Sequence, residues 1–265
     1  MKTQLIRAMA NAFIMFALVS ASPAQTNNGD VYWRLDPSVK SCSMVIDPSL
    51  TQAQWKTFVQ QVGPIVTFKS LASAEPLGKM NFNVAIDMGR SPVDQHNLAW
   101  INTFVHPDAN CPLGDVISVP TIRARMGVSD RMDIGAYWTT APDANYGMVG
   151  GEIKYRLEQE SEELPAVAVR GTATILTGVP DFDVSVYSID LIASKKIAMF
   201  SPYVGVRGNL ISGTETTSKV SLKSERLFFA QGYAGVSSSL WIFSLAAEYN
   251  ISYANTFAFA VGVNF

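Results

Sequence analysis

A two-residue period runs through this chain and limits what it can fold into. At the C-terminal end, Phe257, Phe259, Val261, Val263 and Phe265 fall on one side of an extended backbone, and Ala258, Ala260, Gly262 and Asn264 on the other. Successive side chains of a strand point to opposite faces, so this segment has one apolar face and one small or polar face. The pattern recurs upstream. Phe243, Leu245, Ala247, Tyr249 and Ile251 alternate with Ser244, Ala246, Glu248 and Asn250; Val204, Val206 and Leu210 with Tyr203, Arg207 and Asn209; Tyr187, Ile189 and Leu191 with Ser188 and Asp190. Further stretches around Val167–Ile175, Val149–Leu157, Met132–Trp138, Ile122–Met126 and Phe82–Met88 repeat it, and 226–237 repeats it more weakly.

The polar face carries full charges of both signs. By alternation Arg123, Arg125, Arg131, Lys154, Arg156, Arg170 and Arg207 share it with Asp87, Asp133, Glu152, Asp190 and Glu248. The packed interior of a soluble sandwich does not tolerate unpaired charge at that density. The strands run to roughly 10 to 12 residues, the length that crosses a bilayer at a tilt. The connections also alternate: turns near 127–130, 158–164, 194–197 and 237–239 lie on the side of Phe265, and 141–144, 177–182, 212–225 and 252–254 on the other. Shorter inner turns and longer outer loops are the asymmetry of a membrane barrel. The expected fold is therefore all-β, an antiparallel transmembrane β-barrel.

Composition supports this reading. The chain of 265 residues is 48% hydrophobic and 16% charged, against about 25% charged in soluble domains. Leu227 to Ala247 is uncharged, which raises the alternative of transmembrane helices. The Ser237-Ser238-Ser239 run and the density of aromatic and β-branched residues suit strands better. A net charge of −2 provides no basic field for nucleic acid. At the start, Lys2 and Arg7 precede an apolar run from Ala8 to Val19 and small residues ending in Ser22-Pro23-Ala24. This reads as a secretory signal peptide over 1–24, followed by an N-terminal periplasmic or lumenal segment over 25–63 and the barrel over 64–265.

The last strand, with Phe257, Phe259, Val261, Val263 and terminal Phe265, resembles the recognition signal of Gram-negative outer-membrane β-barrels. That resemblance implies outer-membrane localisation and contact with the barrel-assembly machinery. Ala74-Glu75-Pro76-Leu77-Gly78, Val169-Arg170-Gly171 with Thr177-Gly178-Val179, Ser194-Lys195-Lys196 and Pro202-Tyr203-Val204-Gly205-Val206 resemble an uncharacterised family of such barrels. These motifs specify architecture and bring in no catalytic residue.

From residue 80 onward the minimal strand count is ten. Ile65–Ala72 alternates weakly and Leu98–Val105 is a candidate extended stretch, and adding both gives twelve, the favoured number. Before the barrel, Trp55, Phe58, Val59 and Val62 recur at helical spacing from Gln52, and Gly63-Pro64 stops the run. This short amphipathic helix either plugs the lumen or covers the periplasmic mouth.

Cys42 and Cys111 are the only cysteines. An oxidising compartment allows them to pair, and two separate thiols fit the spacing equally well. His96 and His106 show no metal-ligand spacing and read as loop residues, and no cofactor motif is present. A lipase-type site would need a G-x-S-x-G elbow, which is absent. A protease-type site would need a His beside acids such as Asp181 and Asp183. The lumenal charges form either a salt-bridged filling or the wall of a small pore, where the Arg cluster would favour an anionic solute. The acidic run Glu158–Glu163 reads as a solvated turn. Lys219 and Lys223, in the loop 212–225, are candidates for contact with lipopolysaccharide. The leading expectation is a small passive channel or solute-uptake barrel for an unidentified small solute, embedded in outer-membrane lipid; the alternative is a structural or surface-interaction barrel with a closed lumen.

Overall fold

The computed structural model describes residues 43–105, 116–140 and 145–265. The segment 1–24 expected to be a signal peptide, both cysteines and His106 lie outside the described residues.

Ten antiparallel strands close into a barrel. In chain order they are β2 (Phe82–Pro92), β4 (Val116–Gly127), β5 (Met132–Thr140), β6 (Gly147–Glu158) and β7 (Ala166–Thr177), then β8 (Phe182–Ser194), β9 (Phe200–Glu215), β10 (Glu225–Leu240), β11 (Phe243–Ile251) and β12 (Thr256–Asn264). Each pairs with its chain neighbour, and β12 closes the ring on β2 in the register Phe257↔Arg90 to Asn264↔Asn83. At the seam Phe82 and Phe265 exchange both backbone hydrogen bonds, at 2.7 and 3.0 Å, and their rings stack at 6.0 Å. The terminal aromatic residue is thus the last rung of closure.

The alternation sorts the wall. Ile122, Trp138, Ile153, Ile189, Val206, Phe228, Tyr249 and Val261 face outward and are exposed, while Arg123, Arg170, Arg207, Asp190 and Glu248 face inward and are buried. An apolar outer surface over a charged interior is the signature of a barrel solvated by lipid. The mouth next to Phe265 has short connections, including the two-residue turn Trp241-Ile242, where Trp241 takes φ +63°. The opposite mouth holds the long segment between Pro92 and Val116, so it is the outer one.

Ten strands form the wall, not the favoured twelve. The stretch 65–72 finishes a helix and then runs extended inside the lumen. It cannot join the wall, because both edges of β2 are already paired, with β12 and β4. The stretch 98–105 forms a short helix, α2 (Leu98–Ile101), capped by Asn97, followed by the two-residue strand β3 (Phe104–Val105). That strand pairs with β1 (Ser43–Met44), making a small second sheet outside the barrel ladder. The serine run at 237–239 is no turn; β10 continues through it to Leu240.

The N-terminal helix α1 (Gln52–Val66) begins with a capping box between Thr51 and Gln54. It outlasts Gly63-Pro64 by a further half-turn or so. Pro64 removes one helical hydrogen bond, but the buried packing of Ile65 and Val66 holds the turn, and both the Thr67 backbone N–H and its hydroxyl donate to the Gly63 carbonyl.

Candidate functional site in the plugged lumen

Helix α1 lies inside the outer half of the barrel. Its face of Trp55, Phe58, Val59 and Val62 is fully buried with Phe182, Val184 and Val186 of β8, Ile211 of β9 and Phe229 of β10. Phe58 meets Phe182 and Trp100 edge-on at 5.4 and 5.1 Å, and Trp55 meets Phe182 at 5.5 Å. Two glycines make the fit possible. A Cβ on Gly213 would stand 2.5 Å from the Val59 side chain, and one on Gly63 would stand 2.6 Å from Ile211.

Polar contacts fasten the outer end. Asp181 accepts from the Ile46 backbone N–H at 2.8 Å and from Lys219 Nζ at 2.7 Å. Asn145 accepts from the Met44 N–H and donates to the Met44 carbonyl. Trp100 Nε1 donates to Gln61, tying α2 to α1. Tyr146, in the connection next to this cluster, has its phenol pushed up by burial.

Below the helix, residues 67–77 descend through the inner half toward the periplasmic mouth. Their main chain meets the charged wall. The Ser70 carbonyl accepts from Arg123 Nη1 at 2.8 Å and also from Arg125. Glu248 accepts from the Leu71 N–H and from the Tyr203 hydroxyl, each at 2.9 Å. Ser194 accepts from the Ala74 N–H, and Asp133 from the Leu77 N–H. Lys154 Nζ donates to the carbonyls of Ser73 and Glu75, and Arg156 pairs with the Glu75 carboxylate at 2.6 Å. The ring of Phe68 lies under the guanidinium groups of Arg170 and Arg123, at 5.2 and 5.9 Å.

The wall charges also pair with one another. Arg123 meets Asp87 at 3.0 Å, Lys154 meets Asp133 at 3.1 Å, and Arg125 and Arg170 both reach Glu152. Asp190 is the hub: Arg170 and Arg207 both pair with it, and the Tyr233 hydroxyl donates to it at 3.1 Å. Of the lumen-lining set read from alternation, all but two are deeply buried. Arg156 is half-buried at the inner mouth, and Arg131 is exposed in the turn before β5, where alternation has already ended.

Sequence reasoning missed the main-chain half of this network, because carbonyls carry no sequence signal. It also missed Phe68, Ser70 and Glu75, which read as a weak strand or as motif residues. Asp181 is a structural staple, and Asp183 is exposed on the outward face of β8. His96 lies in the outer connection, its backbone N–H donating to Asp94. Among the described residues no group of three His, Cys, Asp or Glu side chains comes together to hold a metal ion. Beside the 71–77 segment, a vestibule of about 670 Å³ at the inner mouth is lined by Ser201, Ser237, Ser244, Asn83 and Asn264.

A closed antiparallel barrel with an apolar outer wall, exposed aromatic residues near both mouths and a charged interior is a transmembrane β-barrel of the bacterial outer-membrane class. No protein-family model matches the sequence, and no curated protein matches it. Among solved structures, an outer membrane channel from Pseudomonas putida F1 is similar at 11% identity and a TM-score of 0.46, over 75% of this chain and 100% of that one. The N-terminal β-barrel domain of Pseudomonas aeruginosa OprF is similar at 14% identity and a TM-score of 0.36, over 71% and 99%. Ail, the attachment invasion locus protein of Yersinia pestis, was solved with the heparin analogue sucrose octasulfate and is similar at 11% identity and a TM-score of 0.34, over 71% and 99%. Likenesses this loose carry no functional argument, and the fold rests on the strand register itself.

Proposed function

We propose that this protein is a closed outer-membrane barrel, non-conducting at rest, whose outer mouth serves as a surface for interaction. One observation carries the reading: residues 43–77 of the chain itself occupy the lumen from the outer mouth to the inner. Helix α1 fills the outer half with aromatic and aliphatic side chains, and the connector below it takes up hydrogen bonds of Arg123, Arg125, Lys154 and Glu248. An Arg-lined anion pore needs those guanidinium groups free to face water, whereas here Arg123, Arg170 and Arg207 are at most 2% exposed. This favours the closed alternative over the passive channel. Lipid and lipopolysaccharide remain the expected partners of the outer wall and loops.

The test is planar-bilayer recording of the refolded mature chain, 25–265, with folding shown by heat-dependent migration on gels. Silence across applied voltage is expected, and steady ohmic steps from folded protein would overturn the closed reading. Steps that arise only when the outer packing is loosened, as in a Trp55→Ser, Phe58→Ser double variant that still migrates as folded barrel, would identify α1 as the closure.

A further inference from the structure

The outer end of β2 carries a charge on the wrong face for a protein surrounded by lipid. Arg90 shares the outward face with Ile86 and Met88 and is exposed. Its cross-strand partner on β12 is Phe257, and the partner of Phe257 on β11 is Tyr249, both outward and about half exposed. Tyr253, 59% exposed, comes from the 252–255 turn above them, which is shaped by the Ser252 N–H donating to the Asn255 side chain at 3.2 Å. With Pro92 and Val116 these residues bound a groove of about 410 Å³ on the outside of the barrel.

Among the described residues, no carboxylate lines the groove. Among the described residues, neither the Arg90 guanidinium nor the hydroxyls of Tyr249 and Tyr253 have a hydrogen-bond or ion-pair partner. A lipid-facing Arg is costly at the bilayer midplane and close to neutral at the interface, so this residue belongs at headgroup depth. Aromatic side chains with a polar tip settle at that depth. A guanidinium there, with phenol donors beside it and an apolar floor beneath, matches a phosphate joined to acyl chains: the planar fork takes two phosphate oxygens, and Phe257 and Val116 accept a chain.

We propose that the groove formed by Arg90, Tyr249, Tyr253 and Phe257 binds the phosphate of an outer-leaflet glycolipid. The phosphate sits on Arg90, the tyrosine hydroxyls donate to it, and an acyl chain lies along the strands below. The site is on the outer wall and is independent of whether the lumen conducts.

The test uses the full mature chain in detergent, with lipid A carrying both phosphates as the probe and lipid adducts counted by native mass spectrometry. One adduct of high occupancy is expected for the unaltered protein. Arg90→Gln should weaken it roughly tenfold, the scale of a lost charge-assisted hydrogen-bonded pair, while Arg226→Gln, an exposed arginine outside the groove, should leave it intact. Dephosphorylated lipid A should lose the adduct, and excess inorganic phosphate should not displace it. An adduct untouched by Arg90→Gln, or weakened equally by both substitutions, would overturn the proposal. Displacement by inorganic phosphate alone would assign the groove to the free anion and overturn the lipid.

Discussion

The two halves of the lumen are closed by opposite means. In the outer half, α1 builds a hydrophobic core of the kind a soluble domain uses, with Trp55, Phe58 and Phe182 ring against ring. In the inner half, an extended connector lies among buried ions that pair with one another and with its backbone. The difference follows from chain conformation. A helix satisfies its own peptide groups, so its surface can be apolar. An extended segment with no neighbouring strand leaves every N–H and C=O unmet, so its surroundings must supply donors and acceptors. The charged wall of the inner half supplies them.

The contrast can be broken most severely at its ionic hub. Asp190→Ala strips Arg170, Arg207 and Tyr233 of their shared acceptor, and removing one partner of a buried pair costs about 3–5 kcal/mol. A drop in the urea midpoint of that order, followed by tryptophan fluorescence in lipid vesicles, is the expected result. Phe58→Ala attacks the outer core instead and should cost about 3 kcal/mol through loss of buried rings and the cavity left behind. Hydrogen exchange should then quicken in α1 while the inner connector stays protected, and a loss of protection spread evenly over both halves would dissolve the distinction. The two losses should add in the double variant, because the sites share no partners.

Much of the wall was legible in the sequence, since a period of two states at once which residues face lipid and which face inward. Trp55, Phe58, Val59 and Val62 likewise announced a helix with one apolar face. What stayed hidden has physical causes. The connector 67–77 alternates weakly, as a strand does, but its partners are side chains of the wall reaching its backbone, which residue types do not display. Ser237 to Ser239 have turn composition, yet their small side chains are what leaves room for the inner vestibule. Arg131 obeyed the parity of β5 but lies one residue before the strand begins.

Smaller effects sharpen the comparison at its edges. Thr51→Ala removes the N-cap of α1, where the Thr51 hydroxyl accepts from the Gln54 N–H at 3.3 Å, and should cost about 1 kcal/mol, measured by the same urea midpoint. Lys219→Ala breaks a pair with Asp181 whose lysine is 39% exposed. Its effect should stay below about 1 kcal/mol and fade with added salt, in contrast to the buried pairs of the inner half.

The most direct test of the plugged lumen is a cross-link between plug and wall. In a chain with Cys42 and Cys111 replaced by Ser, Val59→Cys on α1 removes the branched methyl carbons that a Cβ on residue 213 would strike at 2.5 Å, so Gly213→Cys on β9 then sets the two thiols side by side. Oxidation of intact cells should join them efficiently, read as a shift of the unfolded chain on non-reducing gels. No cross-link, together with ready labelling of Cys at 59 by a membrane-impermeant maleimide, would place α1 outside the barrel and contradict the closed lumen.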